Sequence, residues 1–398
     1  MSHILMVSEP GCYGVFVYVR NLVRHLWHHH PDLVIDLAYS SRRGCEDLAP
    51  FVAEIEARGG ETLDLQVANG PEPADLGALL GLHRLIRRRR PAVVHAHSSK
   101  AGVLARLLRL LPGMPPVIYT PHGYYGMSMH EGRKDIFFNA IESVFGHVGI
   151  THNVSIHERQ FAHRTLHLPW RRLLLVFSGI DLETFRPATA EEKRDAREAL
   201  GLPLEGRLLV TVGRDAYEKN YADLYAALDQ LLPEADWHFA HAGGGSVELR
   251  EGLRPAARER AYAFKFLDAP EILYRAADGF VLVSRSEAFG LSAYEAVACG
   301  LTIILSATTG LLSLARLGLP NVHWVPNPAE AGNISQAVVE AIIQWAEGPL
   351  GDPQAAQPEM RQWFEFRMQF DKLVHVYRHL AKSQSLDIGA FEDISSPS

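Results

Sequence analysis

Short apolar runs bounded by turn residues alternate along this chain with longer stretches whose apolar residues recur every three to four positions. The first pattern is that of a strand buried on both faces and the second that of an amphipathic helix, so the alternation predicts parallel sheets joined by crossover helices. In the first half, strands are expected at His3 to Val7, Leu33 to Ala38, Val93 to Ala96, Val117 to Thr120 and Val148 to Thr151. Between the first two, Val15, Val19, Leu22, Val23 and Leu26 recur at helical spacing and make one buried face. The pattern pauses at Phe185-Arg186-Pro187, passes a helix rich in Glu, Lys and Arg (Glu191 to Leu200), and restarts at Leu208 to Val212. Further strands are expected at Trp237 to Ala240, Ala263 to Phe266, Gly279 to Val283 and Leu301 to Leu305.

The fold class that follows is α/β, with two Rossmann-like doubly wound domains facing a central cleft. The first is expected over 1–188 and the second over 189–362. The aromatic segment Trp363 to Leu380 reads as one last amphipathic helix, within 363–382, packing back on the first domain; the polar residues 383–398 read as a disordered tail. A helix ending in Arg84 and Arg87 to Arg90 is read as burying Leu76, Leu79, Leu80, His83 and Ile86. Cations at a helix C-terminus are favoured by the dipole alone; the other reading is contact with an anionic membrane surface, aided by Arg106 and Arg109 on a neighbouring apolar helix.

Composition narrows the classes. A chain of 398 residues exceeds one ordinary core, and 47% hydrophobic with 21% charged residues is the balance of a globular protein. A net charge of -7 gives no support to a dedicated nucleic-acid binder. The three cysteines, Cys12, Cys45 and Cys299, imply neither a disulfide framework nor a Cys-rich zinc site, which fits a reducing cytoplasm. No apolar run nears the ~20 residues of a membrane span, and the N-terminus enters a strand without a basic leader. A cytoplasmic protein with at most peripheral contact at the inner membrane face is expected.

Open parallel sheets bind ligands beyond the carboxyl ends of their strands. After Leu208 to Val212 comes Gly213-Arg214-Asp215-Ala216-Tyr217-Glu218-Lys219, with an Arg and a Lys five residues apart on a strand-to-helix loop. A guanidinium gripping two phosphate oxygens beside a movable ammonium suits a leaving diphosphate; the alternative is a solvated charged loop. After Gly279 to Val283, Glu287 precedes a helix start at Gly290-Leu291-Ser292, whose amides favour an anion, and Glu295 lies a turn inside. Helix capping and surface roles are the plain alternative. His95 and His97, two apart on one strand face, could pair on a metal, but no third ligand is evident, and acceptor-side or structural roles fit better.

These motifs together resemble glycosyltransferase family 4, bacterial surface-polysaccharide type, over nearly the whole chain. Its mark is a Glu, seven residues and a second Glu, here Glu287 and Glu295, combined with the loop of Gly213, Arg214 and Lys219. The resemblance implies the GT-B fold and retention of anomeric configuration. Arg214 and Lys219 would hold the donor diphosphate, Glu287 would face the transferring sugar, and Glu295 would bind the ribose. Phe289, Gly290, Leu291 and Ser292 would complete the donor site, with Gly243 in the turn after Ala242 near the nucleotide. In the first half Gly14 matches the family's glycine turn, His122 in Thr120-Pro121-His122-Gly123 matches a histidine beside the donor sugar, and His97, Ser98 and Lys100 fall on the acceptor side.

The activity implied is metal-independent hexosyl transfer from a nucleotide diphosphate sugar, a UDP-sugar in expectation, to a glycan or lipid-linked hydroxyl acceptor, with no cofactor and no metal. A nucleotide-sugar epimerase and a donor-binding protein without turnover are the alternatives. Ser178-Gly179, Thr302 and the loop Ala307 to Leu312 depart from the family pattern, and the loop bears on donor details.

Overall fold

The computed structural model describes residues 2–68, 70–128, 133–267, 269–315, 317–319 and 322–383. The chain forms two compact units, Met1–Ser178 with Arg367–Ser398, and Gly179–Phe366. The tail expected to be disordered falls, from residue 384 onward, outside the described residues.

The first unit is a seven-stranded parallel sheet of β1 (Ser2–Ser8), β2 (Leu33–Tyr39), β3 (Thr62–Asp64), β4 (Val93–His97), β5 (Val117–Thr120), β6 (Ile150–Asn153) and β7 (Leu173–Leu175), ordered β3-β2-β1-β4-β5-β6-β7. Strand order reverses where β1 meets β4, with Ile4 beside Val93 and Ser8 beside His97. That switch point brings the loops after β1 and β4 together. Helices cover both faces, so all five residues of β4 are buried, His95 and His97 included. The edge strands β3 and β7 were not anticipated, because three residues are too few to register as a period.

Two expectations about surface residues need correction. In the helix Ala74–Arg89 the buried stripe is Ala78, Leu82, Leu85 and Ile86, whereas Leu76 and Leu80 are 63% and 48% exposed. Ile86 is buried and Leu79 packs on the core as expected, but the stripe as a whole is turned by about a third of a turn, because leucines lie on both faces. Arg106 is not a surface cation. It is buried, paired with Glu142 at 2.9 Å and stacked over the Tyr119 ring at 4.0 Å, while Tyr119 donates to the other Glu142 oxygen at 2.8 Å. A buried ion pair survives when the remaining lone pairs are also satisfied, as Tyr119 does here.

The second unit is a six-stranded parallel sheet of β8 (Leu208–Val212), β9 (His238–Ala242), β10 (Ala261–Phe264), β11 (Gly279–Leu282), β12 (Thr302–Ser306) and β13 (Val322–Val325), ordered β10-β9-β8-β11-β12-β13. Its switch point lies between β8 and β11. The charged helix Ala190–Ala199 starts with a capping box between Thr189 and Glu192 and is docked, not loose. Arg197, 4% exposed, pairs with Asp278 at 2.8 Å, and Asp278 also accepts the Leu208 amide at 2.9 Å. This fixes the starts of β8 and β11 side by side.

The last aromatic segment is two helices, Gln357–Phe364 and Phe366–Ser383, not one. Glu365 between them is extended, and Ile180 engages its neighbours, donating to the Phe364 carbonyl at 2.6 Å and accepting the Phe366 amide at 3.0 Å, which diverts both groups from helical hydrogen bonding. From Arg367 the final helix belongs to the first unit, where Phe370, Leu373, Val374, Tyr377 and Leu380 are buried and Gln369 accepts the Phe177 amide at 3.2 Å.

Candidate active site

The loops at the switch point of the second sheet carry the charges singled out by the sequence. Lys219 Nζ lies 2.6 Å from Glu287 Oε1, and the two side chains are 18% and 10% exposed. Ser284 Oγ donates to the same oxygen at 2.7 Å. Arg214 instead pairs with Glu218 at 2.9 Å and is half-exposed, so this pair contributes about 1 kcal/mol or less. The two loops are stitched directly: the Arg285 amide donates to the Glu218 carbonyl at 2.7 Å, and Arg285 Nη1 to the Tyr217 carbonyl at 2.9 Å.

The turn after β9 closes on the same place. Asp215 N donates to Gly244 O at 2.6 Å, and Gly243 has φ +150° with its missing Cβ only 2.0 Å from Gly213 O, so no side chain fits. His241 beneath it lies 2.8 Å from the Gly213 carbonyl and 2.9 Å from Tyr225 Oη. A carbonyl only accepts, so Nε2 carries the proton and Tyr225 donates to Nδ1. Burial holds this histidine down to about 4, hence neutral.

The helix Leu291–Ala298 starts at Gly290, whose φ is +86° and which, as N-cap, has no side chain to cap the first turn. Phe289 stacks on Tyr294 with ring centroids 4.0 Å apart and closes the floor below it. Leu291 and Ser292 are half-buried at the first turn. One turn in, Glu295 accepts from Tyr274 Oη at 2.9 Å, and burial raises its carboxyl to about 7 against that hydrogen bond. The loop that departs from the family pattern rests on this site: Thr308 Oγ1 donates to Arg285 O at 2.8 Å, and a Cβ on Gly310 would lie 2.3 Å from Glu287 O.

In the first unit, β1 leads to Glu9, which is 2% exposed and accepts from Ser98 Oγ, from the Ala101 amide at 3.2 Å and from Arg43 at 3.3 Å. Burial raises its pKa, while Ser98 and Arg43 pull it back. Nothing in the sequence reading singled out Glu9; its place at the end of a strand was the available signal. Gly14 is exposed in the first turn of the helix Tyr13–His29, with open space around its Cβ position. Ser98 holds φ +79°, a strained conformation fixed by Glu9 and by its amide on Thr120 O at 3.0 Å. Lys100 is engaged by Asp75 at 2.7 Å and Gly70 O at 2.6 Å and is 11% exposed.

His122, with φ +55°, faces His97 through a 3.1 Å contact between Nε2 and Nδ1, and the Tyr18 ring meets it edge-on at 4.8 Å. Burial, then His152, holds His122 down to about 3, and burial holds His97 well below the ordinary range. Two neutral imidazoles can share one proton between them in such a contact. Behind them runs a buried chain whose direction is fixed by its end. His152 Nε2 must donate to Val176 O (2.8 Å), so Thr120 donates to His152 Nδ1 (2.8 Å). His95 Nε2 then donates to Thr120 (2.7 Å) and Tyr377 to His95 Nδ1 (2.6 Å). His95 is thus a structural link between β4 and the last helix. Below the His122 turn, Glu158 accepts the amide of Gly123 and that of Val154 at 2.7 Å, and burial raises it to about 7.

Residues 192–359 match the family model for glycosyl transferases group 1, and residues 13–176 that for the glycosyl transferase 4-like domain. Over 251 residues the chain is 30% identical to the Escherichia coli UDP-Gal:alpha-D-GlcNAc-diphosphoundecaprenol alpha-1,3-galactosyltransferase, a match spanning 59% of this chain and 63% of that relative's length. Among solved structures, sucrose-phosphate synthase from Thermosynechococcus elongatus aligns with TM-score 0.75 at 21% identity, over 96% of this chain and 99% of its own. Anabaena Alr3699/HepE in complex with UDP and glucose aligns at 0.74 and 15% identity, over 96% of this chain and all (100%) of its own. At those identities the likeness is one of fold, and the fold is GT-B. With one family model on each unit, this chain belongs to the group 1 glycosyltransferases of family 4.

Proposed function

We propose that this chain is a retaining hexosyltransferase that takes its sugar from a nucleotide diphosphate donor, a UDP-sugar in the first instance, and delivers it to a hydroxyl of a glycan or lipid-linked acceptor. The observation that carries the reading is the sheltered Lys219–Glu287 pair at the ends of β8 and β11, on the loops that lead to the glycine-capped start of the helix Leu291–Ala298. An ammonium, a guanidinium and helix amides converging on loops of one switch point suit a diphosphate, and a carboxylate beside them suits sugar hydroxyls. The names of two similar proteins carry UDP-Gal and UDP with glucose, which supports the donor class.

In the proposed step the acceptor hydroxyl oxygen bonds to the anomeric carbon from the side the diphosphate leaves. The bond from that carbon to the phosphate oxygen breaks, and the hydroxyl proton passes to the departing diphosphate. Arg214, Lys219 and the amides near Gly290 would stabilise the charge that grows there. Glu287 would accept from the sugar and Glu295 from the ribose. These cationic groups would serve in place of a divalent ion. Protein treated with a chelator and assayed well below its unfolding temperature should keep its transfer rate; loss of rate restored by Mg or Mn would overturn metal independence.

The diphosphoundecaprenol in the Escherichia coli relative's name supports a lipid-linked acceptor. So does the surface of three neighbouring helices of the first unit, where Leu76, Leu80, Leu110, Ile136, Phe137 and Val144 are exposed at 48–73% alongside exposed Arg84, Arg87 and Arg90. Exposed apolar side chains and exposed arginines on neighbouring helices suit an anionic bilayer surface. The decisive experiment incubates the protein with UDP-, GDP- and ADP-sugars and lipid-linked or free glycan acceptors, following released nucleotide and product linkage. Donor rearrangement without an acceptor would favour the epimerase reading, and binding without product the non-catalytic one.

A further inference from the structure

A second cluster of ligand-type side chains lies away from both sets of strand ends, where the first long helix meets the last. His25 is on the helix Tyr13–His29, and His30 is its C-cap, with φ -135° and ψ 62°. That departure from helical geometry lets His30 face the same way as His25, which five helical steps would otherwise turn roughly 140° away. Both Nε2 atoms lie 2.9 Å from one oxygen, Oδ1 of Asp371 on the helix Phe366–Ser383. The three atoms all lie within 4.8 Å of one another, the single group of this kind among the described residues.

We propose that His25, His30 and Asp371 form a site for a divalent transition-metal ion, zinc by preference, that fastens the last helix to the first. Two imidazoles and a carboxylate are a donor set for zinc and its first-row neighbours. With bonds of about 2.0–2.1 Å, tetrahedral zinc holds its ligand atoms roughly 3.3–3.4 Å apart, so the present 2.9 Å N···O contacts need open by only a few tenths of an ångström. The protein already supplies the rigid side of the site. The His25 side chain is 1% exposed and held by the Phe370 ring at 5.5 Å. The Asp371 side chain is 49% exposed, which leaves the fourth position to water. A metal on His30 Nε2 puts the proton on Nδ1. The 3.5 Å contact there from Arg378 then gives way, and Arg378 retains Asp32 at 3.3 Å. Because residues 25 and 371 are far apart in sequence, the ion would stabilise the return of the final helix, with no part in the transfer chemistry proposed above.

The test uses the full chain freed of metal, titrated with zinc by calorimetry and by thermal unfolding, with cobalt as a spectroscopic probe. One zinc per chain is expected, with an unfolding temperature that rises with zinc concentration, and tetrahedral cobalt absorption. Asp371→Asn and His30→Gln should each weaken zinc binding by roughly tenfold or more, the scale of even outer-sphere losses at metal sites, while unfolding near the parent temperature in metal-free buffer. Replacing the exposed His28 and His29 by Ala should leave binding unchanged. Absence of zinc binding, or binding lost with His28 and His29 but kept in Asp371→Asn and His30→Gln, would overturn the site.

Discussion

Lys219 and Glu287 are each the other's nearest charge, and Ser284 completes the group, so their substitutions should not add. Lys219→Ala is expected to slow single-turnover transfer by roughly 2–4 kcal/mol in activation free energy, as for other preorganised charge stabilisers. Glu287→Gln should slow it too, and the double variant should lose clearly less than the sum; strict additivity would mean the pair does not act as a unit. Glu295 behaves differently. Its carboxyl, raised to about 7 by burial, becomes a pure acceptor only as pH climbs past that value. Nucleotide affinity measured by calorimetry should therefore rise between pH 6 and 8, and Glu295→Gln should weaken binding and flatten the dependence while sparing turnover of bound donor.

Along single elements, the phase of a helix and the tightness of a turn decide what a substitution costs. In the helix Ala74–Arg89, Leu82 is 0% exposed and Leu80 48%, although the sequence reading had placed Leu80 inside. Leu82→Ala should cost about 2–5 kcal/mol of stability and Leu80→Ala about 0.5 or less, measured by chemical unfolding. Equal costs would restore the other phase. Gly243→Ala tests the turn after β9: its Cβ would meet Gly213 O at 2.0 Å, so the 213–220 loop must move. Donor affinity should fall together with unfolding temperature.

At the scale of the molecule, buried ionisable groups set the response to pH. In the first unit His95, His97, His122 and His152 are held below their ordinary 6.5 by burial. In the unfolded chain they would take up protons below that value, so each adds stability as pH rises toward 6.5. Glu9 and Glu158 are raised above 4.5 and act oppositely, since the folded form holds their protons longer. With His25, also lowered by burial, five histidines against two carboxyls leave a net gain. Unfolding of the first unit should become harder from pH 5 to 6.5, by roughly 1–3 kcal/mol per pH unit. The second unit, with His238 and His241 against Glu295, should change less. A first-unit transition that weakens over this range would show that these histidines are not held neutral.

The alternation of apolar runs and helical periods was enough to establish two doubly wound sheets, and the Arg214, Lys219, Glu287 and Glu295 spacing enough to name the family, because both are local properties of the chain. Sheet order is not local. That Lys219 meets Glu287, that Glu9 rather than Gly14 organises the loop after β1, and that Lys100 is tied to Asp75 follow from which strands lie side by side. Periodicity cannot state that adjacency. Nor could it tell Arg106, buried on Glu142, from Arg109 three residues on, since that pair forms only when two helices pack side by side, or show that Asp371 returns to His25, a contact made only by the packing of the final helix on the first unit.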